Sequence, residues 1–238
     1  MSRFSLRCTS SRAFFPVSVS VLAPVLLLLA ASGLSAQAEG IQTVTRKYTE
    51  ARGAAVATVE YRVSRDGQSI LLSSIGVDST DEIRWTPGSG TTDWRLSDSK
   101  SGDELRARRS GDVIHVTGTL KNRPVDRQVR VDSAPWYQVF GPLMEELLPA
   151  GTSQREFWVL DPADLAPHKM QVRRAGTERV TVRGTTVDAA RIHFSPAGAL
   201  AAFWGADFWY RQGDGLWVTS RLPEHGSVTV STVEELTP

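Results

Sequence analysis

Cysteine is almost missing from this chain. The single one, Cys8, lies among the first twelve residues, in a segment expected to be removed. What remains has no disulfide to staple it and no thiolate for catalysis. Histidine is scarce too: His115, His168, His193 and His225 are all there are. None forms an H-x-H or H-x-x-x-H pair, so a metal centre is not indicated. His115 and His193 fall on polar strand faces and read as solvated. A G-x-S-x-G nucleophile turn is absent. The stretches GSG and QGDG do not lead into helices, so phosphate cradles are not expected. The carboxylate pairs Asp161 with Asp164 and Glu145 with Glu146 read as a turn start and the wet side of a helix rather than an acid–base dyad. Linkers, low-complexity tracts and tandem repeats are also lacking. These absences argue against an enzyme, against a cofactor and for one domain.

Acids are absent from the first 38 positions, where Arg3, Arg7 and Arg12 precede an uncharged run, Ala13 to Ala38, centred on VLAPVLLLLAA. A basic start, an apolar stretch and small residues at an A-x-A site describe a secretory signal peptide over 1–38. Cleavage is expected after Ala38, with Ala36 as the alternative. The uncharged run is also long enough for an uncleaved anchor, but Pro24 and the small-residue site favour removal. The leader takes three of 27 basic residues with it, leaving 24 against 26 acids, a net charge of −2. Nucleic acid is therefore not an expected partner. The expected location is periplasmic or secreted, at most peripheral to a membrane.

Residues 39–238 alternate with a period of two almost throughout. Val59, Tyr61 and Val63 oppose Glu60, Arg62 and Ser64, and Ile114 and Val116 oppose His115 and Thr117. Val180 and Val182 oppose Arg179, Thr181 and Arg183. One apolar and one wet face is the mark of antiparallel sheet. Turn signals such as RDG, RSGD, KNRP and QGDG separate the runs. One stretch differs. SAPWYQVFGPLMEELLPAG places Trp136, Phe140, Leu143, Met144, Leu147 and Leu148 at helical spacing. A helical segment within 134–149 is predicted, capped by Ser133 and kinked or split at Gly141-Pro142. A further helical turn is expected in DPADLAP at 161–167. About ten strands on one apolar face curl rather than stay flat. The fold expected is mainly β: a curved antiparallel sheet or incomplete β-barrel with one or two short helices against its concave side, a shape that can enclose an apolar cavity.

FWGADFWYR, residues 203–211, is aromatic on both faces of its expected strand. Trp204, Phe208 and Tyr210 are placed on the concave side, with Phe203 and Trp209 packing on the convex side. A hairpin about GDG brings Trp217 near Tyr210 or Arg211. These residues, with Trp136 and Phe140 from the helical stretch, are the candidate ligand-binding set; an ordinary filled core is the alternative. Two polar residues join them. Arg127 is in phase with Val125, Val129 and Val131; it either snorkels to water or sits at the cavity rim to pair with an anionic head group. Asp207 either bonds a turn amide or Arg211, or anchors a ligand polar group.

Residues 156–222 add a resemblance. Gly176, Glu178, Val180, Val182 and Gly184, then Asp188-Ala189 and Arg191, then Trp204, Trp209-Tyr210 and Trp217 are similar to an exported bacterial family with a Gly-Glu-x-Val-x-Val-x-Gly segment and a Trp-rich hairpin. In architecture this resembles the half-barrel of the lipoprotein carriers LolA and LolB. Thr177 is an extra residue in the segment, and the hairpin ends in RLPEHGSVTV rather than a Gly-Pro-Gly-like turn. The resemblance implies a hydrophobic cavity lidded by helices and brings no catalytic residues. The expected partner is a lipid or other apolar ligand, or an envelope protein. The alternative functions are an envelope-assembly module with a filled core and a glycan binder using exposed Trp faces.

Overall fold

A computed structural model describes residues 41–86, 90–138, 141–148, 151–224 and 227–236. The expected leader and Phe140 lie outside them. Eight strands come first: β1 (Gln42–Arg52), β2 (Ala55–Asp66), β3 (Ser69–Ile75), β4 (Ser79–Thr86), β5 (Gly90–Asp98), β6 (Asp103–Ser110), β7 (Val113–Leu120) and β8 (Arg123–Arg130). Six follow: β9 (Gln154–Leu160), β10 (Pro167–Val182), β11 (Thr185–Pro196), β12 (Ala206–Arg211), β13 (Trp217–Glu224) and β14 (Ser227–Val233). All fourteen form one antiparallel sheet in the order β8-β7-β6-β5-β4-β3-β2-β1-β14-β13-β12-β11-β10-β9. Consecutive strands pair throughout except β8 and β9, which form the two edges, and β1 also pairs with β14 in the middle of the sheet. The sheet curls around its apolar face without closing, as the incomplete barrel required.

The period-two pattern produces the core directly. Ile70 and Leu72, Ile83 and Trp85, Trp94 and Leu96, Ile114 and Val116, and Ile192 and Phe194 all turn inward and are buried. Four more strands exist than the sequence suggested. QTVTRKYTEAR, now β1, is polar on both faces apart from Val44, Tyr48 and Ala51, so its alternation carries little hydrophobic signal.

The two sheet edges, β8 and β9, are joined by residues 131–153, a strap that runs across the concave side. Here the expected helical segment is present but reduced to one short piece. The only helix among the strap's described residues is a single 3-10 turn, Met144–Leu147. The backbone of the strap's start instead bonds to β9: Tyr137 N–H donates to the Trp158 carbonyl at 2.7 Å, and Trp158 N–H to that of Pro135 at 2.7 Å. Pro135, Pro142 and Pro149 each remove a donor an α-helix needs. The three- and four-residue spacing survives because Trp136, Leu143, Met144, Leu147 and Leu148 are still all buried. They plug the interior from an irregular strap. The 161–167 stretch forms one turn, closed by Leu165 N–H on the Asp161 carbonyl at 2.7 Å. A second 3-10 helix, Gly198–Ala202, was not foreseen.

The strap is fastened by Arg109. This residue follows Leu105 and Ala107 on the inward face of β6 and is itself buried. Its guanidinium donates to the carbonyls of Gly111 at 2.6 Å, Ala134 at 2.7 Å and Asp132 at 2.6 Å. Glu145 and Glu146 tie the 3-10 turn to the sheet, through Arg174 at 3.5 Å and Arg65 at 2.6 Å.

Candidate functional site

The interior is packed over most of its length. The described residue set leaves a cavity of about 360 Å³ at one end, where β1 begins and β2 and β12 finish. Its walls come from three places. Val44, Arg46 and Tyr48 alternate along the inner face of β1, and Tyr61 and Val63 face them from β2, with Arg46 directly across from Tyr61. Pro142 and Leu143 of the strap form the lid. The β12–β13 turn contributes Leu216 and Trp217.

The aromatic wall is rigid. The rings of Tyr48 and Trp217 stack at 4.1 Å between centroids and 20° between planes, and Tyr61 meets both edge-on at 5.4 and 5.5 Å. Tyr48 Oη donates to the Trp217 carbonyl at 2.7 Å and Trp217 Nε1 to that of Thr219 at 3.0 Å. Burial raises the Tyr48 and Tyr61 hydroxyls well above the usual phenol range, so both stay neutral donors. Gly141, at φ 104°, lets the strap backbone touch the Trp217 indole; a Cβ there would lie 2.5 Å from Cζ3.

Arg46 is the odd member. Two other charged residues, Arg65 and Asp214, line the cavity with it, but the Arg46 Nε is buried with no hydrogen-bond partner among the described residues. The nearby carboxylates are committed elsewhere: Glu146 binds Arg65 at 2.6 Å and Asp214 binds Arg211 at 2.6 Å. The Arg211 pairing holds the Asp214 carboxyl below its ordinary range. A polar cleft of about 490 Å³ lies beyond the same turn, lined in part by Glu145, Arg174 and Arg211, whose charges are already paired.

The residues singled out from the sequence do not converge on one place. Trp217 lines the cavity. Phe208 and Tyr210 lie behind it in the packed core, Phe208 tilted against Trp217 at 6.2 Å and Tyr210 Oη donating to the Gly141 carbonyl at 2.5 Å. Trp204 is half-buried, edge-on to Phe194, with Nε1 donating to the Pro223 carbonyl at 2.9 Å. Trp136 is buried in the strap and donates to Gln138 Oε1 at 2.5 Å. Arg127 is exposed on the edge strand β8 and donates to the Asp164 carbonyl at 2.7 Å, helping bridge the open seam. Asp207 faces the outer side, where it accepts from His193 Nδ1 at 2.9 Å. Trp209 does pack on that side, bonded to Glu178 at 2.7 Å. Phe203 does not: it precedes β12 in a turn and stands 83% exposed.

Arg46, Tyr48 and Tyr61 were not singled out as a site. The available signal was the phase break in β1, a lone Arg between Val44 and Tyr48.

Asp132 anchors the strap from outside. It accepts from Lys169 Nζ at 2.7 Å, Trp158 Nε1 at 2.8 Å and Ala134 N–H at 2.8 Å. The Lys169 bond foremost pushes its carboxyl down to about 2. A depressed carboxylate stabilises the fold fully above its unfolded pKa of about 4. That contribution is lost as pH falls from about 4 towards 2. Urea titrations should therefore find Asp132→Asn less stable than the parent at pH 6, with the gap shrinking across that window. A gap independent of pH would show that the charge is not what anchors the strap.

No family model matches the chain, and no curated protein matches it in sequence. Its fold is similar to the crystal structure of a β-barrel-like protein of the domain of unknown function DUF1849 from Brucella abortus, with TM-score 0.50 and 9% identity over 82% of this chain and 96% of that one. That likeness supports the architecture alone. A LolA superfamily protein from Nitrosomonas europaea aligns at TM-score 0.27 and 7% identity over 82% of this chain and 84% of that one, a level that carries no argument.

Proposed function

We propose that this chain is an exported, non-catalytic protein, periplasmic or secreted, that binds or carries an amphipathic, lipid-like ligand at the mouth of its half-barrel. One observation supports this above all. The cavity walled by Tyr48, Tyr61, Val63, Leu143 and Trp217 stays open at the end of the barrel interior. Apolar lining with a few fixed polar groups is the ordinary make-up of a small-molecule site. Its walls are mainly aromatic and aliphatic groups, with Gln42, Arg46, Arg65 and Asp214 as the polar ones. The leader over 1–38 supports export; N-terminal sequencing should find Glu39 or Gln37 as the first residue, and Met1 on a membrane-bound product would refute it.

Native mass spectrometry of protein purified from its own envelope tests the carrier role, alongside uptake of a neutral naphthylamine probe. Added mass, or probe fluorescence that a bulky Val63→Trp change abolishes, is the expected result. A bare-chain mass together with no probe uptake would sink the reading. The filled interior around Phe208 and Tyr210 favours a second reading, a packed module that meets an envelope partner through an edge strand. That reading takes over if both binding assays fail.

A further inference from the structure

We infer that the ligand carries one anionic head group, read by Arg46, on a single apolar chain. This rests on the cavity being a ligand site and adds the chemical class of what fills it. An unpaired guanidinium nitrogen in a buried position is costly unless something completes its hydrogen bonds. Arg46 meets that description, with a buried, partnerless Nε in a cavity-lining side chain. Asp214 in the lining and Glu146 on the strap are held by Arg211 and Arg65, and Glu50, further along β1, accepts from Ser231 Oγ at 3.1 Å. A planar guanidinium matches a carboxylate, sulfate or phosphate with two parallel N–H donors. The lining around it offers apolar groups, Val44 and Val63 on the strands, Leu143 on the strap and Leu216 on the turn, beside the polar Gln42, Arg65 and Asp214.

Size narrows the class further. At about 360 Å³ the cavity sits near the lower end of roughly 300–1,000 Å³ typical of small-molecule sites. That suits one chain rather than the two or three of a membrane lipid. Val44, 47% exposed at the mouth, leaves apolar surface at the opening through which a chain would leave.

The test displaces the neutral naphthylamine probe with two chain-matched ligands, laurate and monolaurin. Laurate should compete about tenfold more strongly, the equivalent of one charge-assisted hydrogen bond. Arg46→Gln should abolish that preference while probe binding persists, and Arg46→Lys should keep part of it. Should the variants fold poorly, the wild-type protein still decides: raising salt from about 0.05 to 0.5 M should shrink the preference, because screening weakens a partly exposed charge pair. Equal competition by both ligands, or a preference that survives Arg46→Gln, overturns the head-group assignment and leaves the carrier reading standing. Failure of the wild-type protein to take up the probe or either ligand overturns both.

Discussion

Phe208→Ala should cost about 3–5 kcal/mol of stability, the range for deleting a fully buried phenylalanine. Phe208 is 1% exposed and sits on the concave side of β12, between β11 and β13, where it faces Ile192 and Ser220 in register. Nothing around it can collapse easily. Trp217 is held by Tyr48, by the Thr219 carbonyl and by the close approach of Gly141, so a void remains. The loss is a large share of a typical total of roughly 5–15 kcal/mol. Ligand uptake, measured where the variant is still folded, should change little, because Trp217 stands between Phe208 and the cavity. Urea unfolding read by tryptophan fluorescence measures the first quantity and probe titration the second. A stability loss below about 1 kcal/mol would mean that the aromatic strand lines open space, contrary to the packing described.

Arg109→Met should be nearly as damaging, and for a different reason. The apolar stem is kept, but three carbonyls lose their donor at once. Each buried acceptor left unpaired costs about 1–3 kcal/mol. With some rescue by water, a net loss of about 3 kcal/mol is expected. Two of those carbonyls, on Asp132 and Ala134, belong to the strap, and the strap supplies the cavity lid through Pro142 and Leu143. So Arg109→Met should also weaken ligand uptake at temperatures where the sheet is intact, which Phe208→Ala should not. Arg109→Lys should rescue little, since an ammonium lacks the planar fork that reaches all three oxygens. Hydrogen exchange in 131–148 should speed up relative to β3 to β7. Uniform exchange throughout would show that Arg109 only adds global stability.

Much of this architecture was legible in the residues. Strict alternation in DVIHVTGTL and ERVTVRG identified antiparallel strands with one wet face, and their number implied curling. The strap misled because apolar spacing reports burial, not backbone conformation. Trp136, Leu143 and Leu147 are buried as a helical stripe would be, yet the prolines and the pairing with Trp158 settle the backbone differently. Arg109 stayed hidden in ELRARRS, where arginines fill both phases and only the neighbours Leu105 and Ala107 mark the inward one. The site itself was partly visible. Trp217 was identified, but its closest partners, Tyr48 and Tyr61, come from the start of the domain, more than 150 positions away in sequence. Among the described residues, the β1–β14 pairing brings the first and last strands together. Phe208 and Tyr210 have the composition of a ligand wall, and what makes them core is the strap pressed against them.

The most direct test is photo-cross-linking with a single-chain fatty acid that carries a diazirine midway along its chain, followed by peptide mapping on the folded wild-type protein. The expected adducts fall on the β1–β2 wall at Tyr48, Tyr61 and Val63, on Leu143, and on Leu216 and Trp217, and excess laurate suppresses them. Adducts confined to the outer face around Trp209 and His193, or none at saturating probe, would contradict a ligand site at the mouth of the half-barrel.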